Sequence, residues 1–454
     1  MKVINPATEE IIREVREDDA NSLESKLRQL RSAQRAWANR PLKERIKILK
    51  RFSVLLETEA ESLASVLTSE VGKPLTQSRN ELNGARARID WLTSHAEQYL
   101  RDEVMSESKG MREVIRYEPL GVVCNISAWN YPYLVGVNVF VPALLAGNTV
   151  LYKPSEYATT SGLEIERCLH SAGAPSEAFR CAVGGREVGE RLLELDFDAF
   201  FFTGSYATGK HIYETVSKRM IPCQCELGGK DPLYIADDVA DIKAVAAATA
   251  DGAFYNNGQS CCAVERIYVN EKVYDQYVRE FVSEVSGYKT GLPTEAGVYL
   301  GPLTRKDQLA VLEQQIAEAV HGGAIVNTGG KRRAGKGYYF EPTVLTNVTN
   351  RMKVMQDESF GPVIGIMKVE NDEEAVKLMS ETEYGLTAAV YSSDEQRAMH
   401  ILGQLNTGTG YWNCCDRVSA AVPWSGRKHS GFGATLSHAG LRAFTRPKAL
   451  HLKG

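Results

Sequence analysis

The segment Asn257-Gly258-Gln259-Ser260-Cys261-Cys262 lies between a helical pattern, Ile242 to Tyr255, and a strand pattern, Arg266 to Val269, which puts its thiols on a connecting loop. A thiolate attacks a carbonyl carbon readily if it is exposed and its pKa is lowered from about 8.5. The bland alternative is a buried, inert cysteine. Cys225-Glu226-Leu227-Gly228-Gly229-Lys230 ends an apolar strand on a carboxylate followed by two glycines. Glu226 can face a crevice there and serve as a general base, or it can be a strand-end surface residue. Trp129-Asn130-Tyr131-Pro132 follows the Val122 to Ile126 run. The Asn130 amide can donate to an oxygen that turns negative during addition, a contact worth roughly 3–4 kcal/mol where measured. Asn before a turn proline is also common for purely local reasons. Phe202-Thr203-Gly204-Ser205-Tyr206-Ala207-Thr208-Gly209-Lys210 runs a strand through Gly204 into a helix start at Ser205. Free amides there suit a pyrophosphate, although only Gly204 and Gly209 stand where the dinucleotide fingerprint has three glycines.

Elements that can hold these groups are legible around them. The first hundred residues read as helices: Asn21-Ser22-Leu23-Glu24 has the form of a capping box. Pro41 opens a long pattern carrying Leu42, Ile46, Leu49, Phe52, Leu56, Leu63 and Leu67. From about Arg116 apolar runs alternate with helices. Val122 to Ile126 predicts a strand, Val137 to Leu145 a helix closed by Gly147, Thr149 to Tyr152 a strand and Ser161 to His170 a helix. Phe179 to Val183 and Ala199 to Phe202 predict further strands, and a second alternating stretch runs from Leu233 to about Val390, with a strand near Pro362 to Val369. The alternation predicts an α/β fold with two parallel-sheet units.

Composition narrows the function classes. The 454 residues exceed one ordinary core, with 43% hydrophobic and 24% charged residues and a net charge of −4. So small a charge gives no reason to expect nucleic acid or an acidic membrane as partner. The start lacks the apolar run of a signal peptide, and the longest apolar stretch, Val135 to Gly147, is interrupted by Asn138 and Pro142 and is too short to span a membrane. Nine cysteines in no metal-ligand spacing argue against a structural metal or a disulfide framework, so a reducing cytoplasm is expected and no metal.

Taken in order, the motifs resemble the NAD(P)-dependent aldehyde dehydrogenase superfamily from about Asn5 to the C-terminus. Besides the four segments above, the likeness rests on Pro119-Leu120-Gly121-Val122-Val123 and Lys153-Pro154-Ser155-Glu156. It continues through Glu358-Ser359-Phe360-Gly361-Pro362, Tyr384-Gly385-Leu386 and Pro423-Trp424-Ser425-Gly426-Arg427-Lys428-His429-Ser430-Gly431. The resemblance implies Cys261 as nucleophile with Cys262 as its neighbour, an oxyanion site from the Asn130 side chain and the Cys261 amide, and Glu226 as activator of the hydrolytic water. Glu226 counts against the CoA-acylating relatives. Lys153 and Glu156 would take the adenine ribose, Gly204 and Ser205 the pyrophosphate, Trp129 would line the cofactor site, and Glu358 and Phe360 would place the nicotinamide end. A carboxylate at Glu156 favours the free ribose hydroxyl of NAD, with NADP possible.

The implied fold has an NAD-binding domain (1–100 and 119–230), a catalytic domain (231–431) and an oligomerisation arm (101–118 and 432–454) that builds a homodimer or homotetramer. Two segments depart from the family pattern: Ala434-Thr435-Leu436, and Gly410-Tyr411-Trp412-Asn413-Cys414-Cys415-Asp416-Arg417. They are expected at the substrate entrance, clear of the catalytic set. Tyr131, Tyr133, Tyr255, Trp412 and Trp424 can form an aromatic pocket for an apolar or aromatic aldehyde, or for an amino- or betaine aldehyde by cation–π contact. Arg417, if it points inward, suits a semialdehyde with a carboxylate, such as succinic semialdehyde. The short chain resembles the succinic-semialdehyde branch, which ranks that substrate first.

Overall fold

Five of the apolar runs lie side by side as a parallel sheet in the computed structural model, which describes residues 1–108 and 110–454. Across the sheet stand Phe179–Cys181, Thr149–Lys153, Val122–Ile126, Ala199–Gly204 and Cys223–Leu227, and Gly431–Phe432 joins the last of these antiparallel. Val122–Ile126 and Thr149–Lys153 are buried at every residue, as strands covered on both faces must be. Connections run one way from Val122–Ile126 toward Phe179–Cys181 and the other way from Ala199–Gly204. The carboxyl ends beside such a reversal are where open α/β sheets take ligands.

A second sheet has seven strands in the order Ile325–Thr328, Thr343–Thr346, Val363–Val369, Val264–Asn270, Asp231–Ile235, Thr387–Tyr391 and Thr409–Trp412. All its pairs are parallel except the first. Cys223–Leu227 and Asp231–Ile235 are only a short turn apart yet belong to different sheets, so Glu226 sits at the seam. The chain returns to that seam at Gly431–Phe432.

Several sequence expectations shift at element ends. The first residues form a hairpin, Lys2–Ile4 against Ile11–Glu14, before the helices begin. The first helix, Ala20–Asn39, is capped by Asp19, whose carboxylate accepts from Ser22 N, so Asn21 lies inside it and the expected capping box is absent. The long pattern after Pro41 is two helices, Leu42–Thr58 and Ala60–Val71, bent at Glu59. Helical spacing of leucines continues across that bend, which hid it. Pro132–Ala146 starts with its proline in the first turn and ends at Gly147 with φ 99°, an end that favours glycine.

Glu103–Ser108, Met111–Pro119 and Thr445–Lys453 form a three-stranded antiparallel sheet of their own. Val104, Met105 and Leu452 are exposed on it. Among the described residues no helix is long and apolar enough to cross a membrane, and no group of three metal-ligating side chains occurs.

Candidate active site

The thiol loop is fixed by amides rather than by an apolar plug. The Ile242–Phe254 helix gives way to a tight turn, Tyr255–Gly258, in which Asn256 and Asn257 take left-handed backbone with φ 53° and 58°. Asparagine tolerates that region better than most residues. Asn257 Nδ2 donates to the Gly301 and Pro302 carbonyls at 2.9 and 2.7 Å, and Gln259 Oε1 accepts from Thr304 N at 2.9 Å. A Cβ on Gly258 would lie 2.5 Å from the Gly361 carbonyl, so glycine lets the loop pass against the Glu358 segment. Cys261 emerges from this frame half-buried.

Asn130 is brought beside it. Its Nδ2 donates to the Gln259 carbonyl at 3.0 Å, which orients the carboxamide and leaves its second N–H free for a ligand oxygen. The Asn130 carbonyl is held by Lys73 Nζ at 2.7 Å and Asn256 Nδ2 at 3.2 Å. Lys73 in turn meets Glu81 Oε2 at 2.5 Å and lies 3.8 Å from the centre of the Tyr131 ring, and the other Glu81 oxygen accepts from Tyr133 N. Lys73 and Glu81 were not singled out from the sequence. The signal was there: Glu81 and Arg88, seven residues apart, share the buried face of the Leu75–Tyr99 helix with Leu82, Ile89 and Leu92.

Glu226, next to last in its strand, lies opposite Gly431 and accepts a hydrogen bond from the Thr435 hydroxyl. Burial pushes its carboxyl up to about 7, against the lowering effects of Thr435 and the Arg88 guanidinium. A carboxyl with that pKa can take and release a proton near neutrality. Thr435 therefore puts the departing segment in direct contact with Glu226, contrary to the expectation that it lies clear of the candidate catalytic residues. The second departing segment reaches it too: Asp416 Oδ1 accepts from Ser260 Oγ and from Cys262 Sγ, both at 3.1 Å. Burial raises Asp416 to about 6. Cys262 is buried, and its hydrogen bond with Cys261 and its burial hold its thiol well above the ordinary range.

At the carboxyl edge of the first sheet, Trp129, Lys153 and Ser205 follow three neighbouring strands. Lys153 is 5% exposed, yet its ammonium has one long contact, 3.3 Å to the Pro154 carbonyl. Burial lowers its pKa. An ammonium so enclosed and so poorly paired fits a ribose hydroxyl. Space for one exists, since a Cβ on Gly185 would meet nothing and one on Gly189 only Lys153 Cε at 3.8 Å. Ser205 caps the Tyr206–Val216 helix with its side chain on Thr208 N, leaving the first amides for an anion. Glu156 accepts from Ser155 Oγ at 3.2 Å.

Glu358 accepts from Gly229 N at 3.1 Å, and burial pushes it up to about 8. Glu265, paired with Lys230 at 2.5 Å, accepts from Ser359 N and Phe360 N and so fixes this segment. Phe360, at φ 45°, meets Trp129 edge-on with ring centres 5.4 Å apart. The residues present suit a dinucleotide.

The expected aromatic wall is only partly assembled. Tyr131 interacts through space with Asp416, Tyr255 and Cys262. Trp424 packs with Cys262, Leu386 and Leu436. Tyr133 is instead a core residue, and Trp412 is directed to the Ser392 carbonyl at 3.0 Å. The structure also leaves Arg417 exposed, with its neighbour Asp416 as the charge against the thiol pair. A turn at Asp416 with φ 45° separates the two directions.

A loop thiol, an amide donor and a carboxyl raised by burial thus lie near the carboxyl edge of a parallel sheet, an arrangement compatible with a dehydrogenase. A sequence model of the aldehyde dehydrogenase family matches residues 1–450, and the chain belongs to that family. It is an NAD(P)-dependent oxidoreductase acting on aldehydes. Similar proteins include the succinate-semialdehyde dehydrogenase [NADP(+)] of Deinococcus radiodurans, 33% identical over 98% of this chain and 93% of that one. Aminoaldehyde dehydrogenase 1 of Pisum sativum, a peroxisomal protein, is 34% identical over 98% and 91%. The solved structure of the aldehyde dehydrogenase KauB from Pseudomonas aeruginosa superposes with a TM-score of 0.97, at 30% identity over 100% of this chain and 93% of that one.

Proposed function

We propose that Cys261 adds to the substrate aldehyde and that the resulting thioester is hydrolysed by water activated at Glu226. The observation that carries this is the convergence of the half-buried Cys261 loop, the Asn130 carboxamide aligned by Gln259 and a carboxyl held near neutrality at Glu226. The Cys261 sulfur bonds to the carbonyl carbon, and the oxygen takes the negative charge facing the free Asn130 N–H and the Cys261 amide. Bound NAD(P) supplies the hydride acceptor that turns this adduct into a thioester. Glu226 then accepts a proton from water as its oxygen bonds to the acyl carbon, and Cys261 departs as thiolate, leaving the acid. Net, one aldehyde, one oxidised nicotinamide and one water give one acid, one reduced nicotinamide and one proton.

Lys153 and Glu156 hold the adenine ribose, Gly204 and Ser205 the pyrophosphate, and Trp129, Glu358 and Phe360 the nicotinamide end. Glu156 favours NAD over NADP because a carboxylate repels a 2′-phosphate. Residues 1–100 and 119–230 form the cofactor domain, 231–431 the catalytic domain, and 101–118 with 432–454 the arm. The exposed edge strands of that arm suit pairing with a second copy, giving a homodimer or homotetramer. Nine free thiols suit a cytoplasmic setting. The test is reduction of NAD and NADP by the purified protein with succinic semialdehyde, 4-aminobutanal, butanal and benzaldehyde. Turnover of at least one, abolished in Cys261→Ala, is expected; full activity in that variant contradicts the covalent route.

A further inference from the structure

Arg88 lies on the buried face of the Leu75–Tyr99 helix and is 9% exposed. Its Nη1 donates to the Leu134 carbonyl at 3.1 Å and to Asn138 Oδ1 at 2.9 Å. Those two bonds account for both hydrogens of Nη1. Nε and Nη2 carry three more donors, for which the described residues supply no acceptor. These atoms are not sealed away, in contrast to Arg45 Nε, Arg86 Nε and Arg180 Nε, which are buried without a partner. No carboxylate among the described residues pairs with Arg88, because Glu81 on the same helix face is taken by Lys73. Burial lowers its pKa, and the nearby Cys262, Glu226, Cys261 and Glu81 oppose that lowering. Both of its partners lie on the Pro132–Ala146 helix, which starts two residues after Asn130, so Arg88 is an unpaired cation with open hydrogen-bonding positions beside the Asn130 segment.

We propose that Arg88 receives the anionic end of an aldehyde that carries a carboxylate or sulfonate, and so sets the charge class of the substrate. This rests on the assignment of Cys261 as nucleophile. An enclosed guanidinium without a counter-ion is unfavourable, and an incoming anion relieves that cost while filling a planar fork of N–H donors. Arg417, the arginine the sequence suggests for this task, is exposed, and the task passes to a different element. Asp416 is the rival determinant, since a carboxylate beside Cys262 would favour an amino group. Its Oδ1 already accepts from two donors, however, and the charge that acts on Glu226 is Arg88.

The experiment compares kcat/KM for succinic semialdehyde, butanal and 4-aminobutanal, which share a chain length and differ in the charge of the far end. Wild type is expected to prefer the anion over the neutral aldehyde by about tenfold or more. In Arg88→Gln the loss for the anion, mostly in KM, exceeds the loss for butanal by at least about tenfold, and Arg88→Lys recovers part of it. Equal losses on all three aldehydes would make Arg88 a purely structural residue, and a wild-type preference for 4-aminobutanal would assign selection to Asp416; either overturns the proposal. Alkylation of wild-type Cys261 by iodoacetamide gives a readout that needs neither turnover nor a folded variant. Succinate is expected to slow it and butyramide not; equal effects overturn the proposal even if no aldehyde is oxidised, an outcome that would separately defeat the oxidation reading.

Discussion

Two groups of buried charges differ in how fully the protein satisfies them. Beneath the loop, Lys73 and Lys230 each face a carboxylate at 2.5 Å and each also hold a segment of the site, the Asn130 carbonyl in one case and Ser359 Oγ at 3.0 Å in the other. At the carboxyl edge of the first sheet Lys153 is almost as enclosed, but among the described residues its ammonium has only the 3.3 Å contact to the Pro154 carbonyl. Desolvating an ammonium costs several kcal/mol unless pairing and hydrogen bonds offset it. The closed pairs are therefore frame, whereas the open valence at Lys153 is where the proposed ribose contact falls. Glu226, whose side chain has Thr435 as its one hydrogen-bond partner among the described residues, belongs to the open group.

The comparison breaks most visibly at Glu226. Glu226→Gln is expected to lower steady-state turnover by about 10²–10⁴-fold while the first turnover still releases reduced cofactor, as stopped-flow would show. An equal loss in the burst would mean that Glu226 serves the addition step. Next in size are the lysines. Lys73→Met leaves Glu81 without its counter-ion and should destabilise the fold by about 3–5 kcal/mol in denaturant unfolding. Lys153→Met should cost little stability and instead raise KM for NAD or NADP by about tenfold or more. Similar unfolding curves for the two would erase the distinction between frame and open site.

The pH dependence sharpens it further. Glu226 acts as base only when ionised, so hydrolysis-limited turnover should rise as pH passes about 7 and level off above it. Thr435 lowers that value, so Thr435→Ala should move the midpoint upward; no displacement would leave Thr435 without influence on the base. The smallest effect is at the ribose. Glu156→Gln should reduce the preference for NAD over NADP by about tenfold in kcat/KM, and an unchanged ratio would remove Glu156 from cofactor choice.

Much of this was legible in the chain. Strand runs such as Val122 to Ile126 announce themselves because burial on both faces demands continuous apolar sequence, and the Cys261, Glu226 and Asn130 segments lie on loops or strand ends whose chemistry stands out. Glu81 and Arg88 were hidden because a charged residue on a helix reads as solvated until its neighbours on the same face are seen to be buried, and Lys73 because it stands in the short connection before that helix. The bend at Glu59 was hidden for a related reason, as leucine spacing survives it. Arg417 misled in the opposite way: its direction depends on one left-handed residue, Asp416, that no periodicity reveals.

The most direct test is intact-protein and peptide mass spectrometry of Glu226→Gln mixed with an aldehyde substrate and oxidised cofactor. The account predicts an acyl adduct confined to Cys261, formed in step with one equivalent of reduced cofactor per chain. Reduced cofactor without any adduct, or an adduct on Cys262, would contradict it.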